Sequence, residues 1–186
     1  RKAGVPTPGE VPAAVFPQVQ HATLSNGLKV VLASRSGVPT VNMNLIIGAG
    51  SATDASGKLG LAQLAPQVMT NGTDRLNALQ ISDRLQILGA SLGAGSAADY
   101  TSVSMSALSS RLAPSLDLYA DVIQNPAFRP EDFDRAKALQ VAGIQQSNRS
   151  PGAIANRVLL SSVFGADNPY GRPTSGTEAS VATLTP

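Results

Sequence analysis

The sequence holds one histidine, His21, and no cysteine, and those two counts close off most enzymatic chemistry. A Ser-His-Asp relay needs an imidazole to take the proton, and a metal site with two imidazole ligands cannot be built from one. His21 falls at the start of a predicted hairpin, where a surface or strand-edge place accounts for it. Without cysteine there are no disulfides, thiolate metal sites or thiol nucleophiles. Acids cluster once, at Glu131-Asp132-Phe133-Asp134. Carboxylates so grouped could hold Mg²⁺ or Ca²⁺. Pro130 just before them reads as the first residue of a helix, however, and acids belong at the positive end of a helix dipole. Gly48-Ala-Gly50 and Gly93-Ala-Gly95 fail as phosphate cradles: the third glycine of a dinucleotide fingerprint is Thr53 in the first, and neither sits in a βαβ unit. Those glycines serve close backbone packing or sharp turns instead.

The elements around these residues follow from periodicity and punctuation. Residues 1–17 carry Pro6, Pro8, Pro12 and Pro17 and read as an extended arm or linker. Gln20–Leu24 and Leu28–Ser34 flank Ser25-Asn26-Gly27, a hairpin whose Asn-Gly pair predicts a type I′ turn. Thr40–Ile47 alternates Val41, Met43 and Leu45 with asparagines, as a half-covered strand does. Residues 60–69 look helical although Pro66 removes a backbone donor, so the helix is expected to start late, kink or leave the Ala62 carbonyl without its usual donor. Asn77–Gly89 reads as a helix with Leu79, Ile81, Leu85 and Leu88 inward and Gly89 as its stop. Ala90–Ser96 and Tyr100–Leu108 read as antiparallel strands, the second turning Val103, Met105 and Ala107 inward.

Three further helices are predicted. One spans Ser110–Gln124 with Leu112, Leu116, Tyr119, Ala120 and Ile123 along one side, and one runs from Pro130 to Ser147. The last is capped by Ser150, starts at Pro151 and ends near Phe164, leaving a loop from Gly165 onward. Antiparallel strands with segregated helices make an α+β fold, an antiparallel or mixed sheet with helices packed on one face. The 186 residues are 42% hydrophobic and 14% charged, enough for one well-buried domain or for two small, tightly packed ones. A net charge of +2 with scattered Lys and Arg does not suit nucleic acid, and no apolar run reaches the length of a membrane span. A first residue that is Arg rather than Met points to a fragment or processed piece.

Six stretches, in order, resemble the M16 (pitrilysin or insulinase-like) zinc peptidases. Leu24-Ser-Asn-Gly-Leu-Lys-Val-Val-Leu32 looks like the family's opening hairpin, and Gly48 to Gln67 like its first helix region. Asn71-Gly72-Thr73 is similar to the loop after the zinc helix, and Leu88 to Thr101 to the paired strands beside the active site. Leu116 to Phe128 resembles a helix end with an "A-D-x-x-x-x-P-x-F" pattern; Asn168-Pro-Tyr-Gly-Arg-Pro173 with Gly176-Thr-Glu178 resembles the exit segment.

The resemblance implies where the chemistry would stand. Active members carry an inverted zinc motif, H-x-x-E-H, with a third ligand, Glu, on a later helix. The matching positions here are Gln63, Pro66, Gln67 and Gly143. Gln is a poor zinc ligand, Pro cannot be a base, and Gly has no side chain. The implied reading is therefore no catalytic residue, metal or cofactor in this chain, and no enzyme by itself. Residues 18–186 would be the first α+β domain of a degenerate half, with the following domain outside the chain. Such a half would be a structural and substrate-chamber module of a zinc endopeptidase, enclosing peptides with an active H-x-x-E-H half, on the same chain or separate, that carries the zinc. The alternative is a stand-alone scaffold or assembly subunit with no proteolytic role; an H-x-x-E-H partner, fused or neighbouring, separates the two. The resemblance and the absent cysteine together suggest a periplasmic or secreted bacterial protein.

Overall fold

The computed structural model describes residue 9, residues 16–35 and residues 37–186. The expected 1–17 arm lies outside these except for residues 9, 16 and 17. The chain divides into two units, one ending at Pro39 and one spanning Thr40–Pro186.

The first unit is an antiparallel hairpin of β1 (Val19–Thr23) and β2 (Lys29–Ala33), with Val19 opposite Ala33 and Thr23 opposite Lys29. Its turn is not type I′. Only Gly27 takes a positive φ, at 86°, while its amide donates to the Leu24 carbonyl and the Leu24 amide to Leu28 O. That is a type I turn closed by a glycine in the left-handed region, the three-residue alternative to the two-residue turn. Asn26 contributes through its side chain instead, Oδ1 accepting from the Leu28 amide at 3.1 Å.

The second unit is built on three antiparallel strands, β3 (Thr40–Ile47), β4 (Ser91–Ser96) and β5 (Thr101–Leu108), in the order β3-β5-β4. The period-two pattern of β5 decides which side is covered: Val103, Met105 and Ala107 are buried while Ser104 between them is exposed. Helices pack on this sheet, namely α1 (Leu61–Met69), α2 (Ala78–Leu88) and α3 (Leu112–Gln124). Tyr119 of α3 reaches the paired residues Leu45 and Val103, its hydroxyl donating to Val103 O at 2.5 Å and accepting from the Leu45 amide at 3.2 Å. Burial raises the Tyr119 phenol above its ordinary value.

Two apolar clusters result. Ile81 of α2 meets Leu118 and Val122 of α3, with Leu76. Leu64 and Val68 of α1 meet Phe133, Ala136 and Ile144 of α4 (Pro130–Ser147). The C-terminal segment, where the sequence predicts a loop, completes that second cluster with Val181 and Leu184. The segment holds a short helix, α6 (Glu178–Ala182), started by a reciprocal bond pair between Thr177 and Ser180. The helix from Pro151 is therefore not the last. This α5 (Pro151–Phe164) begins at Ser150, whose side chain makes no capping bond.

Two inward faces also differ from expectation. In α2, Leu79 is 70% exposed and Ile81 is the buried residue. In α3 the buried positions are Ser115, Leu118, Asp121 and Val122, and Leu116 faces out. Apolar spacing misses this face because two of its members are polar and carry their own partners. Ser115 Oγ donates to Arg111 O at 2.8 Å, and Asp121 accepts from Arg75 and Asn125.

Candidate functional site

The four positions singled out from the sequence lie on α1 and α4, two helices that pack against one another. The start of α1 is fixed by Asp54. Its carboxylate accepts from the Gly60 amide at 2.9 Å and the Ala62 amide at 3.1 Å, covering donors that a helix N-terminus leaves open. Burial raises the Asp54 carboxyl, and the amides of Ala62, Gly60 and Leu61 pull it back down. Gly60 itself sits at φ 92°, and a Cβ there would stand 2.5 Å from the Ser175 carbonyl oxygen, so both conformation and space demand glycine.

From that start the helix runs unbroken through Pro66, its sixth residue; it does not start late. The proline nitrogen has no hydrogen to donate, so the Ala62 carbonyl lacks its i+4 donor. Leu64 and Val68, one turn apart, are 0% and 1% exposed and fill the core, and Pro66 is buried too. Gln63 and Gln67 are also one turn apart, on the neighbouring face. Gln63 is half-buried and Gln67 exposed.

Across the helix pair, Gln140 ties α4 to the start of α1. Its buried amide nitrogen donates to Gly60 O at 3.0 Å and to Ser175 O at 2.9 Å. Gly143 follows one turn later, exposed, with nothing within 4 Å of where a Cβ would stand. Ile144 beside it turns into the core. The helix pair is thus held by apolar contacts and one buried amide. The positions flagged for chemistry offer two neutral carboxamides, a ring without a donor, and open space.

The remaining sequence candidates are structural. His21 is an exposed β1 residue opposite Val31. Glu131 and Asp132 occupy the first turn of α4, and Asp132 pairs with Arg135 on the same helix. Gly50 allows a close approach, since a Cβ there would lie 2.4 Å from Ala98 O. Gly93 and Gly95 have room for a side chain. Among the described residues no three His, Cys, Asp or Glu side chains gather as a metal would require, and no helix is long and apolar enough to cross a membrane. Asp54 and Gln140 were not picked out from the sequence as the residues that position this site. Asp54 carried the faint signal of an acid shortly before a helix; Gln140 carried none.

Known proteins resemble this chain in sequence and fold. The chain is 28% identical over 184 residues to an uncharacterized zinc protease of Mycobacterium leprae, covering 99% of this chain and 41% of that one. A crystal structure of a peptidase M16 inactive domain from Pseudomonas fluorescens superposes with a TM-score of 0.85 at 28% identity, over 90% of this chain and 40% of that one. Pitrilysin shares the fold, with a TM-score of 0.74 at 21% identity over 89% of this chain and 18% of its own. The chain therefore spans about two fifths of the curated relative and of the inactive-domain structure. The family described as insulinase (peptidase family M16) matches residues 29–178, and the chain belongs to that family.

Proposed function

We propose that this chain is a non-catalytic module of an M16-type zinc endopeptidase, one that walls the peptide chamber while a partner half bearing H-x-x-E-H supplies the zinc. One observation supports the reading: α1 and α4 keep an apolar core between them, while Gln63, Pro66, Gln67 and Gly143, the positions that the sequence resemblance matches to the family's ligands and base, carry no group that could serve as either. Zinc hydrolysis needs three protein ligands and an activated water. Two neutral amides are weak donors to zinc, Pro66 is buried and its side chain has no proton-accepting group, and Gly143 has no side chain. The residues present do not fit the ion, and no hydrolytic step is assigned to them. What they do supply is a surface. The inactive-domain label on the Pseudomonas fluorescens structure supports the same reading, as does the partial coverage of longer family members.

Elemental analysis after dialysis against trace zinc tests the proposal. The expected result is less than one tenth of an equivalent of zinc per chain. One tightly held equivalent would sink it.

A further inference from the structure

One cavity in the Thr40–Pro186 unit has no role in the account above. It encloses about 360 Å³ between the C-terminal turn of α4, α5 and the segment 169–175, within the ~300–1,000 Å³ range of small-ligand sites. Leu160, Phe164 and Tyr170 give it an apolar wall, with the Phe164 and Tyr170 rings 5.8 Å apart. Arg157 and Arg172 also line it, both half-buried, and among the described residues no carboxylate does.

Both guanidiniums are held in place by neutral acceptors. Arg157 Nη1 donates to Asn148 Oδ1 at 2.8 Å, and Arg172 Nη2 donates to the Asp167 backbone carbonyl at 2.7 Å. Each keeps further N–H donors in its planar fork and gains no compensating charge from these bonds. Two carboxylates stand one or two hydrogen bonds behind the lining, each already accepting from a neutral donor: Asp99 from the Tyr170 hydroxyl, and Glu178 from Gln145 and, at 3.4 Å, from Asn148. Two fixed cations beside an apolar wall match a ligand with an anionic end and an apolar body.

The position narrows the ligand. Ser147 lines the cavity and stands one turn beyond Gly143 on α4, ~6 Å along the helix axis. Resting on the chamber reading above, we propose that this cavity holds a carboxylate of a bound peptide, C-terminal or side-chain, with the neighbouring apolar side chain against Leu160 and Phe164. The forks of Arg157 and Arg172 suit the planar, two-oxygen geometry of a carboxylate.

The test uses the full chain with ¹⁵N-labelled arginine and follows the Nε–H signals while five probes are titrated. They are N-acetyl-leucine, N-acetyl-leucinamide, an unstructured acid-free peptide ending in leucine, its C-terminal amide, and that amide with one internal glutamate. The free-acid peptide is expected to shift both arginine signals and to bind at least about tenfold more tightly than its amide. Arg157→Gln and Arg172→Gln are each expected to remove that preference with backbone spectra unchanged. If either variant fails to fold, the acid-against-amide comparison on the unaltered chain still decides. Recovery of tight binding by the glutamate-bearing amide would support the cavity and identify a side-chain carboxylate as its ligand. Equal affinity for acid and amide would overturn this inference and leave the chamber reading standing. Shifts with N-acetyl-leucine but with no peptide would support the cavity and count against the chamber. No arginine shift with any probe would overturn the proposal.

Discussion

Helix α1 has two faces under different physical constraints. Leu64 and Val68 lie on one, wholly withdrawn from solvent against Phe133, Ala136 and Ile144 of α4. Gln63 and Gln67 lie on the other, at the same i, i+4 spacing, half-buried and exposed. Helix α4 repeats the contrast over adjacent residues, with Ile144 in the core and Gly143 beside open space. Packing ties the first face to the fold, because each buried atom there has neighbours that would lose contacts. The second face, half-buried at Gln63 and exposed at Gln67 and Gly143, is held less by packing. The α1–α4 scaffold therefore rests mainly on the first face and tolerates a wide choice of residue on the second.

The comparison breaks first if the apolar face proves dispensable. Leu64→Ala is expected to cost about 2–5 kcal/mol in denaturant unfolding, because the site sits where α1, α4 and α6 converge and has little room to collapse. A loss below about 1 kcal/mol would mean the helix pair is not the anchor described.

Buried polarity with partners should fall next. Asp121 is buried on α3 and accepts from Arg75 Nη2 at 2.7 Å and Asn125 Nδ2 at 2.9 Å. The Arg75 bond holds its carboxyl below the ordinary 3.8, against the opposing pull of burial. Because the folded carboxyl releases its proton more readily than the unfolded one, the stabilisation is complete above about pH 4. It is lost as pH falls through the folded value. Asp121→Ala is expected to cost about 1–2 kcal/mol at pH 7, from the buried Thr73 hydroxyl left without its partner, since Arg75 and Asn125 are exposed and return to water. The same variant should lose less stability than the parent between pH 4 and pH 2. Asp54 runs the other way: its raised carboxyl makes ionisation unfavourable to the fold as pH climbs past 3.8 toward the folded value. Asp54→Asn should therefore weaken that opposing slope. Unfolding curves at half-unit pH steps read both effects.

The same contrast explains what the sequence could and could not show. Strands with period-two alternation, such as β5, and helices with clear punctuation, such as α2 ending at Gly89 and α4 opening on Pro130, were readable because local residues enforce them. The inward face of α3 was not. Ser115 and Asp121 are buried through bonds to Arg111, Arg75 and Asn125, and apolar spacing carries no trace of such partners. Helix α6 was missed for a related reason. Five residues are too few for periodicity, and its cap uses Ser180 in place of the usual Glu or Gln. The hairpin turn is not legible in Asn-Gly, which serves both turn types; the Gly27 bond to Leu24 O and a positive φ at Gly27 but not at Asn26 separate them. Gln63, Pro66, Gln67 and Gly143 stand out in the sequence only through the family resemblance, and the Gln140 tie to Gly60 spans 80 positions and leaves no local signature.

The smallest effects bear on the free face. Gly143→Ala is expected to stabilise the chain by about 0.5–1 kcal/mol: the residue sits inside an α-helix, its φ is not positive, and the added methyl meets nothing within 4 Å. Gln67→Ala, four residues beyond Gln63 on the same face, should change stability by less than about 0.5 kcal/mol, because the side chain is exposed. Thermal and denaturant midpoints of the two single variants and their double then sharpen the comparison. If the face carries no shared structure, the two effects add within about 0.3–0.5 kcal/mol. A larger coupling would mean that Gln67 and the Gly143 position still act on one another, and that this face retains a constraint of its own.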